Sequence, residues 1–352
     1  MLFFKSKKTS MEKEIFEQAE ILLHLFETYV TEEGEIEINV PKGIEHVIFV
    51  ASGSSYNSAR YAADLFGDIA GIEARAIYSS EFLLKSAVPH SKTTLYVFIT
   101  QSGETSDTNK ALNRAKEFGV TTFCITNKKD STIWNASDFK MDCHAGEENS
   151  IAATKSLTAQ MFCLTLLVLK YAKINNIDIS YYLEQLKNLH FCIEKCYEKQ
   201  SDIKKLAKQI SKYKNVVITA DGIAYALARE ACLKIKETSY LSVTSSILGE
   251  FMHGHVAILN NKSFLIYITN SELTYTAIKN LNKIKSDYNP PICILGSPNS
   301  KVKSSYNLNI DCESSISKSF CLIVLSQILA LEIAKCLHRN VDKPHGLNKV
   351  VL

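Results

Sequence analysis

The sequence repeats itself, because its second half matches its first half at one constant spacing. Leu95-Tyr96-Val97-Phe98-Ile99-Thr100 aligns with Phe264-Leu265-Ile266-Tyr267-Ile268-Thr269, an offset of 169 residues (264 − 95). Without a gap, the same offset brings together four more pairs: Val47 and Val216, Glu81-Phe82 and Glu250-Phe251, Cys124-Ile125 and Cys293-Ile294, Asp142-Cys143 and Asp311-Cys312. Matches in five segments at one offset are improbable by chance, so we predict two copies of one unit, over residues 45–175 and 214–340.

Within each copy, apolar β-branched runs alternate with helix-like stretches. The first copy has such runs at residues 47–51, 73–78, 95–99, 121–126 and 139–143, with helical stretches at 56–70, 106–118 and 151–172. This alternation predicts the α/β fold class, with two tandem domains, each a doubly wound parallel sheet flanked by helices in an α-β-α sandwich. Outside the copies we predict a helix over 11–29 capped by Ser10 and a linker (residues 1–44), a helical connector (176–213) and a C-terminal tail (341–352).

The composition is that of an ordinary globular protein. Of 352 residues, 46% are hydrophobic, and the net charge of +3 is too small to argue for a nucleic-acid or membrane partner. No secretory signal is visible, and no apolar stretch approaches the roughly 20 residues of a membrane span. The nearest, residues 320–334, is interrupted by Ser326, Gln327 and Glu332 and predicts a buried helix.

The ten cysteines show no spacing that indicates a disulfide framework, and we predict a cytoplasmic protein. Cys192 and Cys196 lie one helical turn apart, but without a nearby second Cys or His pair they make a poor metal site. Six others stand in apolar surroundings and are expected to be buried free thiols: Cys124, Cys163, Cys232, Cys293, Cys321 and Cys336.

One hydroxyl-rich turn, Thr100-Gln101-Ser102-Gly103-Glu104-Thr105, follows an apolar run and precedes a helix-like stretch. A helix N-terminus offers unpaired N–H groups and about half a positive charge, and Gly103 would let the backbone approach a ligand. The turn therefore suits an anion, above all a phosphate. An ordinary capped helix after a strand would have the same residue types, and the turn alone leaves both interpretations open.

A second hydroxyl-rich turn, Ser52-Gly53-Ser54-Ser55, precedes another helix, and the two copies differ at both turns. Gly53-Ser54-Ser55 corresponds to Gly222-Ile223-Ala224, and Gln101-Ser102-Gly103-Glu104-Thr105 to Asn270-Ser271-Glu272-Leu273-Thr274. Ligands bind beyond the carboxyl ends of parallel strands, where both turns fall. We therefore predict one phosphate site per chain, in the first copy.

With both turns identified, the chain resembles the sugar isomerase (SIS) family, and more narrowly the isomerase half of the glutamine–fructose-6-phosphate aminotransferases. The resemblance is carried by Gly53-Ser54-Ser55-Tyr56-Asn57, Gln101-Ser102-Gly103-Glu104-Thr105 and Ala152-Ala153-Thr154-Lys155. It extends from Met11-Glu12-Lys13-Glu14-Ile15 to the C-terminus. The resemblance implies two paired SIS domains that bind a sugar phosphate through the turns of the first.

The same resemblance implies individual substrate-binding residues. Thr100 keeps the hydroxyl of the serine that the family often has there, whereas Ala153 replaces a serine thought to contact the sugar. The residues implied to bind substrate are Ser54, Ser55, Thr100, Gln101, Ser102, Thr105 and Ala153.

The implied chemistry comes from the second copy and the tail. Lys234 and Glu237 are three residues apart on one predicted helix face, and the family's equivalent of Glu237 moves a proton between C1 and C2 of the open sugar. His253 matches the ring-opening histidine, with a near-neutral unperturbed pKa, although His255 stands where the family usually has Pro. Lys349 matches a lysine that can form a Schiff base with the sugar carbonyl. Without the resemblance, a surface Glu–Lys pair, a structural histidine and a solvated tail lysine would be the ordinary interpretations.

The chain reaches the SIS unit almost directly after Met1-Leu2-Phe3-Phe4, so we expect no glutamine-hydrolysing nucleophile. We predict a phosphosugar isomerase/deaminase that converts an amino-sugar 6-phosphate, such as glucosamine 6-phosphate, into a ketose phosphate and ammonia. A fructosamine-6-phosphate deglycase and a non-catalytic sugar-phosphate sensor remain alternatives. No metal, nucleotide or flavin cofactor is implied, and the resemblance implies a homodimer with sites near the subunit interface and the counterpart of His253 donated across it.

Overall fold

The chain folds into two α/β halves joined by a helical connector, and the computed structural model describes residues 8–349. The strands of the first half are β1 (His46–Ala51), β2 (Glu73–Tyr78), β3 (Thr94–Thr100), β4 (Thr121–Thr126) and β5 (Phe139–Asp142). The helices up to its end are α1 (Ser10–Phe16), α2 (Gln18–Tyr29), α3 (Gly53–Leu65), α4 (Ser79–Leu83), α5 (Ser106–Glu117), α6 (Thr132–Ala136) and α7 (Lys155–Ile174).

The connector consists of α8 (Ser180–Lys187), α9 (Leu189–Glu198) and α10 (Gln200–Ile210). The strands of the second half are β6 (Asn215–Ala220), β7 (Ser242–Ile247), β8 (Ser263–Ile268), β9 (Ile292–Gly296) and β10 (Tyr306–Asn309). Its helices are α11 (Ala224–Ser239), α12 (Leu248–Phe251), α13 (Tyr275–Tyr288) and α14 (Ser315–Cys336).

Each half contains one sheet of five parallel strands, and the two sheets share one topology. The strand order is β2-β1-β3-β4-β5 in the first half and β7-β6-β8-β9-β10 in the second. The inner strands β1, β3, β6 and β8 are nearly continuous buried runs because helices cover both faces, whereas the outer strands β2, β5, β7 and β10 are more polar and partly exposed. The predicted fold class, two tandem doubly wound sheets flanked by helices, is confirmed.

The repeat keeps its offset in three strands and loses it in the other two. Asn215 pairs with Ser242 and Ser263 as His46 pairs with Glu73 and Thr94, which preserves the offset of 169 residues. At the fourth strand the offset is 170, because Leu265 pairs with Ile292 where its equivalent Tyr96 pairs with Thr122 (292 − 122). At the fifth strand it is 167, because Tyr306 stands in the place of Phe139 (306 − 139).

The predicted gapless alignment was therefore wrong at its C-terminal end. By strand register, Cys124 corresponds to Ile294 rather than to Cys293, and Asp142 corresponds to Asn309 rather than to Asp311. The sequence identities at those positions do not reflect equivalent places in the sheet. Helix α13 has 14 residues where α5 has 12, which accounts for the shift at β9. The segment before β10 (residues 297–305) is three residues shorter than the segment before β5 (residues 127–138), which accounts for the shift at β10.

Several predicted helix boundaries also differ from the structure. The helix expected over residues 11–29 is broken at Glu17 into α1 and α2, and Thr9 rather than Ser10 accepts the capping hydrogen bond, from the backbone N–H of Glu12. The hydroxyl-rich turn of residues 52–55 is shorter than expected because α3 already begins at Gly53, and α7 begins at Lys155 rather than at residue 151. A short helix, α4, replaces the loop expected at residues 79–81.

Two long helices form the centre of the core. The 20-residue α7 and the 22-residue α14 are long and apolar enough to cross a membrane by length and composition, so the expectation that no stretch approaches that length was wrong. However, 83% of the apolar window of α7 and 89% of that of α14 are buried inside the protein. The predicted buried helix over residues 320–334 is confirmed within α14. Burial explains their composition: a helix that is apolar all round belongs inside a large core.

Five of the six cysteines expected to be buried are buried, and Cys336 is not. It is the last residue of α14, where the helix emerges from the core and Lys335 and Cys336 face outward. The apolar residues before Cys336 indicate that most of α14 is buried, but they do not indicate that its last residue is.

Candidate active site

The two hydroxyl-rich turns of the first half lie side by side. They follow β1 and β3, which are adjacent parallel strands with Ala51 opposite Ile99. The carboxyl ends of adjacent parallel strands meet at one edge of the sheet, where ligands bind in this class of fold. The predicted juxtaposition of residues 52–55 with residues 100–105 therefore follows from the strand order.

The turn after β3 leaves the start of its helix without a side-chain cap. The Thr100 and Thr105 hydroxyls are hydrogen bonded to each other at 2.9 Å, and Thr105, the N-cap of α5, makes no capping bond. In the second half the equivalent Thr274 accepts a capping bond from Ala277 N at 3.1 Å. Because the Thr105 hydroxyl is not used for capping, the first-turn N–H groups of α5 have no side-chain oxygen to satisfy them, as an anion site requires.

The structure explains the glycine at position 103 by packing within the protein, rather than by the expected approach of a ligand. Its φ of +71° favours glycine, and a Cβ atom there would lie 2.1 Å from the Ser131 hydroxyl oxygen. Glu104 also holds this turn against the start of α6, because its carboxylate accepts hydrogen bonds from the Thr132 N–H and hydroxyl at 2.8 Å each. The glycine therefore lets the turn pack closely on the start of α6, and nothing in this geometry assigns it to close approach of a ligand.

The turn after β1 is bonded directly to the second half. Ser54 donates from its hydroxyl to Glu230 Oε1 at 2.9 Å, and Asn57 donates from its side-chain amide to Glu230 Oε2 at 2.7 Å. Glu230 lies on α11, which packs against α3. The Glu230 carboxylate of α11 therefore joins the second half to the hydroxyl-rich turn of the first.

Three residues on one face of α11 form a buried ionic chain. Lys234 is completely buried and contacts Glu237 Oε2 at 2.5 Å and Glu230 Oε1 at 3.5 Å. Burial acts to lower the pKa of Lys234, but the two carboxylates outweigh it and raise the pKa, so the ammonium stays charged. Burial raises the pKa of Glu230, against the opposing effect of Lys234. The predicted Lys234–Glu237 pair is therefore an interior pair and not a surface one.

Lys349, in the C-terminal tail, pairs with a buried carboxylate of the first half. Lys349 Nζ lies 2.5 Å from Glu148 Oε2 and donates to the Ser150 carbonyl at 2.7 Å. Burial acts to raise the pKa of Glu148, but the Lys349 charge and hydrogen bonds from Lys349 and Ser156 outweigh it and lower the pKa. The Glu148 charge also acts to raise the pKa of Lys234, after the larger effects of Glu237 and Glu230.

The N-terminal helix α1 holds both the segment that contains Glu148 and the tail. Buried Glu14 accepts from the backbone N–H groups of Asn149 and Ser150, at 2.5 and 3.1 Å, and from the Ser150 hydroxyl. At the start of the helix, the Asp342 carboxylate accepts from Ser10 N and Met11 N at 2.8 and 2.9 Å. Asp342 thereby satisfies two of the unpaired N–H groups of the helix start and anchors the tail seven residues before Lys349.

The remaining predicted residues lie at the edges of this region or away from it. Ala153 is partly buried and precedes the Thr154 cap of α7, whose N–H donates to Glu148. Ser55, Gln101 and Ser102 are partly exposed in their turns. His253 is exposed, and within residues 8–349 its ring makes no hydrogen bond or ion pair with the α11 cluster.

Sequence reasoning did not single out Glu230, Asn57 or Glu148. Glu230 stands four residues before Lys234 and seven before Glu237, a spacing that places all three on one helix face and could have revealed it. Asn57 follows Ser54 by three residues at the start of α3, a similar signal. Nothing local marks Glu148, because only the tertiary fold brings the tail to it.

A cavity of about 690 Å³ lies elsewhere, between α2, the turn after it and α8. None of the predicted site residues lines it. We place the site at the α11 cluster because the charged groups converge there.

Comparison with known proteins identifies the family. Residues 43–170 and 209–334 each match the SIS domain family. The glutamine–fructose-6-phosphate aminotransferase (isomerizing) of Wigglesworthia glossinidia brevipalpis is 32% identical over 363 residues, and that of Campylobacter jejuni is 30% identical over 355. These alignments cover 98% and 97% of this chain, and the chain spans 58% of the length of each relative.

Solved structures share the fold over nearly the whole chain. The C-terminal domain of glucosamine-fructose-6-phosphate aminotransferase from Francisella tularensis has a TM-score of 0.90 and 26% identity, covering 98% of this chain and all of that one. Glucosamine-6-phosphate deaminase from Thermotoga maritima has a TM-score of 0.77 and 21% identity, covering 97% and 99%, which shows the fold alone. With both halves matched and the site geometry in place, this chain belongs to the SIS domain family.

Proposed function

We propose that this chain is a phosphosugar isomerase/deaminase, which converts glucosamine 6-phosphate and water into fructose 6-phosphate and ammonia. The aminotransferase relatives and the deaminase of the same fold are named for amino-sugar or fructose 6-phosphates, which supports this substrate class. In the proposal, residues 45–175 bind the phosphate, and residues 214–340 with the tail carry the chemistry.

The observation that carries the proposal is the difference in exposure among three neighbouring carboxylates. The Glu237 side chain is 22% exposed, whereas Glu230 and Glu148 are 2% and 0% exposed. A group that takes a proton from a substrate must reach it, so Glu237 is the member of the cluster suited to do so. Lys234 holds one Glu237 oxygen and leaves the other for the substrate.

The reaction begins from the open-chain sugar, with an aldehyde at C1 and the amine at C2. Glu237 removes the C2 proton while the C1 carbonyl oxygen takes up a proton, and the C2–H electron pair forms the C1=C2 bond of the enolamine. Glu237 then returns its proton to C1 as the amine nitrogen loses one. The product is a C2 imine with C1 as an alcohol. Water adds at C2, and the C–N bond breaks to release ammonia and fructose 6-phosphate.

His253 and Lys349 would serve the steps before and after proton transfer. We propose that His253 opens the sugar ring, that the protein is a homodimer, and that this exposed histidine acts at the site of the partner subunit. Lys349, held by Glu148, would form a Schiff base with the C2 carbonyl of fructose 6-phosphate, with release of water, at the start of the reverse reaction. The Thr100–Thr105 turn and Ser54, Ser55, Gln101 and Ser102 would hold the phosphate.

The test is incubation of the purified protein with glucosamine 6-phosphate, with ammonia and fructose 6-phosphate measured together. Equal release of the two products is the expected result. The reverse reaction, from fructose 6-phosphate and ammonium chloride, should yield glucosamine 6-phosphate under the same conditions. Turnover in neither direction would contradict the proposal.

Two other functions are separated by the same assay. Ammonia or an amino acid released only from fructose–amino acid 6-phosphates would favour a fructosamine-6-phosphate deglycase. Tight binding of a sugar phosphate without turnover would favour a non-catalytic sensor. The convergence of Glu237, Lys234 and Lys349 favours an enzyme over the sensor.

A further inference from the structure

Four thiols from three parts of the chain meet on the side of the molecule where α9 packs against α14. Cys192 and Cys196 lie on α9, Cys321 on α14, and Cys312 in the segment between β10 and α14. The Cys312 and Cys321 sulfurs are 3.6 Å apart, and the Cys321 and Cys196 thiols donate to the Cys192 carbonyl at 3.6 and 3.3 Å. We call these four residues the thiol cluster.

Two of the four thiols in the cluster are accessible to solvent and two are not. Cys196 and Cys321 are buried, whereas Cys192 and Cys312 are partly exposed. A reagent from solution therefore reaches Cys192 and Cys312 first. Cys312 is outside helix and strand, so its sulfur can shift more easily than that of Cys321 in the middle of the core.

The surroundings of Cys192 favour its thiolate. The neighbouring Cys312 and Cys321 thiols act to lower the pKa of Cys192, and the charges of Lys195 and His190 act in the same direction, against burial. The pKa values of Cys312 and Cys321 are raised, mainly because they face the Cys192 sulfur. The thiolate is the form of cysteine that reacts with peroxides.

Metal binding is the other common use of clustered thiols. Among residues 8–349, no group of three or more His, Cys, Asp or Glu side chains has the geometry to hold a metal ion. The arrangement therefore favours oxidation chemistry over metal ligation.

We propose that the thiol cluster is an oxidation site at which hydrogen peroxide converts Cys192 and Cys312 into a disulfide. The Cys192 thiolate attacks peroxide, the O–O bond breaks, and Cys192 becomes a sulfenic acid as hydroxide leaves. The Cys312 thiol then attacks the Cys192 sulfur, and water leaves as the S–S bond forms. Peroxide is reduced by two electrons and the two thiols are oxidised. The bond would join the connector helix α9 to the second half.

The unmodified protein provides the first test. It is treated with a small excess of hydrogen peroxide at pH 7, its remaining thiols are alkylated, and its peptides are mapped by mass spectrometry. We expect a Cys192–Cys312 disulfide to form at least tenfold faster than oxidation of Cys336, the exposed cysteine outside the cluster. Oxidation of Cys336 at the same rate, or a disulfide confined to Cys312 and Cys321, would overturn the proposal.

Two variants separate the steps. Cys312→Ser should stop the reaction at a Cys192 sulfenic acid, which dimedone labels, whereas Cys192→Ser should lose the fast reaction. Cys336→Ser is the control and should behave as the wild type. Fast disulfide formation in the Cys192→Ser protein would contradict the assigned order. Alkylation of wild-type thiols at pH 5 to 9 adds a readout without substitution: Cys192 should react at lower pH than Cys336.

Discussion

Ser54 and Glu230, 176 residues apart, are joined by a hydrogen bond of 2.9 Å that links the hydroxyl-rich turn after β1 in one half to the charged helix α11 of the other. The same carboxylate contacts Lys234, which contacts Glu237. The two copies of the repeat have therefore diverged into complementary parts. One supplies hydroxyl-rich turns, and the other supplies buried charge.

Phosphate binding should depend on Thr105 and not on its equivalent in the second copy. Thr105→Val removes a hydroxyl that is not used to cap α5, so we expect KM for the sugar phosphate to rise by about tenfold. Loss of its bond to Thr100 should lower the free energy of unfolding by about 1 kcal/mol. Thr274→Val removes the cap of α13, so it should lower the free energy of unfolding by about 1 kcal/mol and leave KM unchanged. Steady-state kinetics and urea unfolding of both variants check this, and equal KM values for the two would count against the turn as the phosphate site.

Lys234 should matter for turnover more than for binding. Lys234→Met removes the buried ammonium that positions Glu237, so we expect kcat to fall by about a hundredfold while KM changes little. Lys236→Met, on the exposed face of the same helix, is the matched control and should be near wild type. Since loss of a buried charge partner can cost about 3 kcal/mol, circular dichroism must show that the variant is folded. A folded variant with unchanged kcat would remove Lys234 from the mechanism.

Lys349 should be the residue that becomes covalently attached to the sugar. Borohydride reduction of a mixture with fructose 6-phosphate should trap a secondary amine at Lys349, detected by peptide mass spectrometry. Lys349→Met should abolish the trapped adduct, whereas the exposed tail residue Lys343→Met should not. An adduct of undiminished yield in the Lys349→Met protein would show that another lysine forms the Schiff base.

The ion pair between Glu148 and Lys349 predicts a pH dependence. The pKa of Glu148 is lowered in the folded protein, so its stabilising effect is complete above its ordinary value of 4.5 and is lost as the pH falls through the folded-state value. At pH 7, Glu148→Gln should cost about 2 kcal/mol, and this difference from wild type should shrink as the pH falls below 4.5. Glu147→Gln, the exposed neighbour, is the control. Urea unfolding between pH 7 and pH 3 measures both, and a difference that does not change with pH would contradict the assignment.

The sequence predicted the fold because its strands, helices and turns follow local patterns. Alternating apolar runs predicted the parallel sheets, and the glycine- and hydroxyl-containing turns marked where β1 and β3 end. The constant offset failed at β9 and β10, since register depends on the lengths of the preceding helix and connecting segment, which sequence identity does not reveal. Glu148 was missed because its partner, Lys349, is 201 residues away and meets it only after folding.

The burial of Lys234 was also beyond local reasoning. Composition favours a surface pair for a lysine and a glutamate three residues apart, and only the packing of α11 between the halves makes the pair interior. The raised pKa of Lys234 follows from that packing.

The claim that Glu237 carries the proton between C2 and C1 is tested most directly by turnover in D₂O. Fructose 6-phosphate formed from glucosamine 6-phosphate is analysed by NMR for deuterium at C1, alongside the rate of ammonia release. We expect the wild type to place hydrogen or deuterium at one of the two C1 positions only. In Glu237→Gln, turnover should fall by about a hundredfold to ten-thousandfold while binding of the sugar phosphate is retained. A Glu237→Gln protein that forms product at the wild-type rate and with the same stereochemistry would contradict the account.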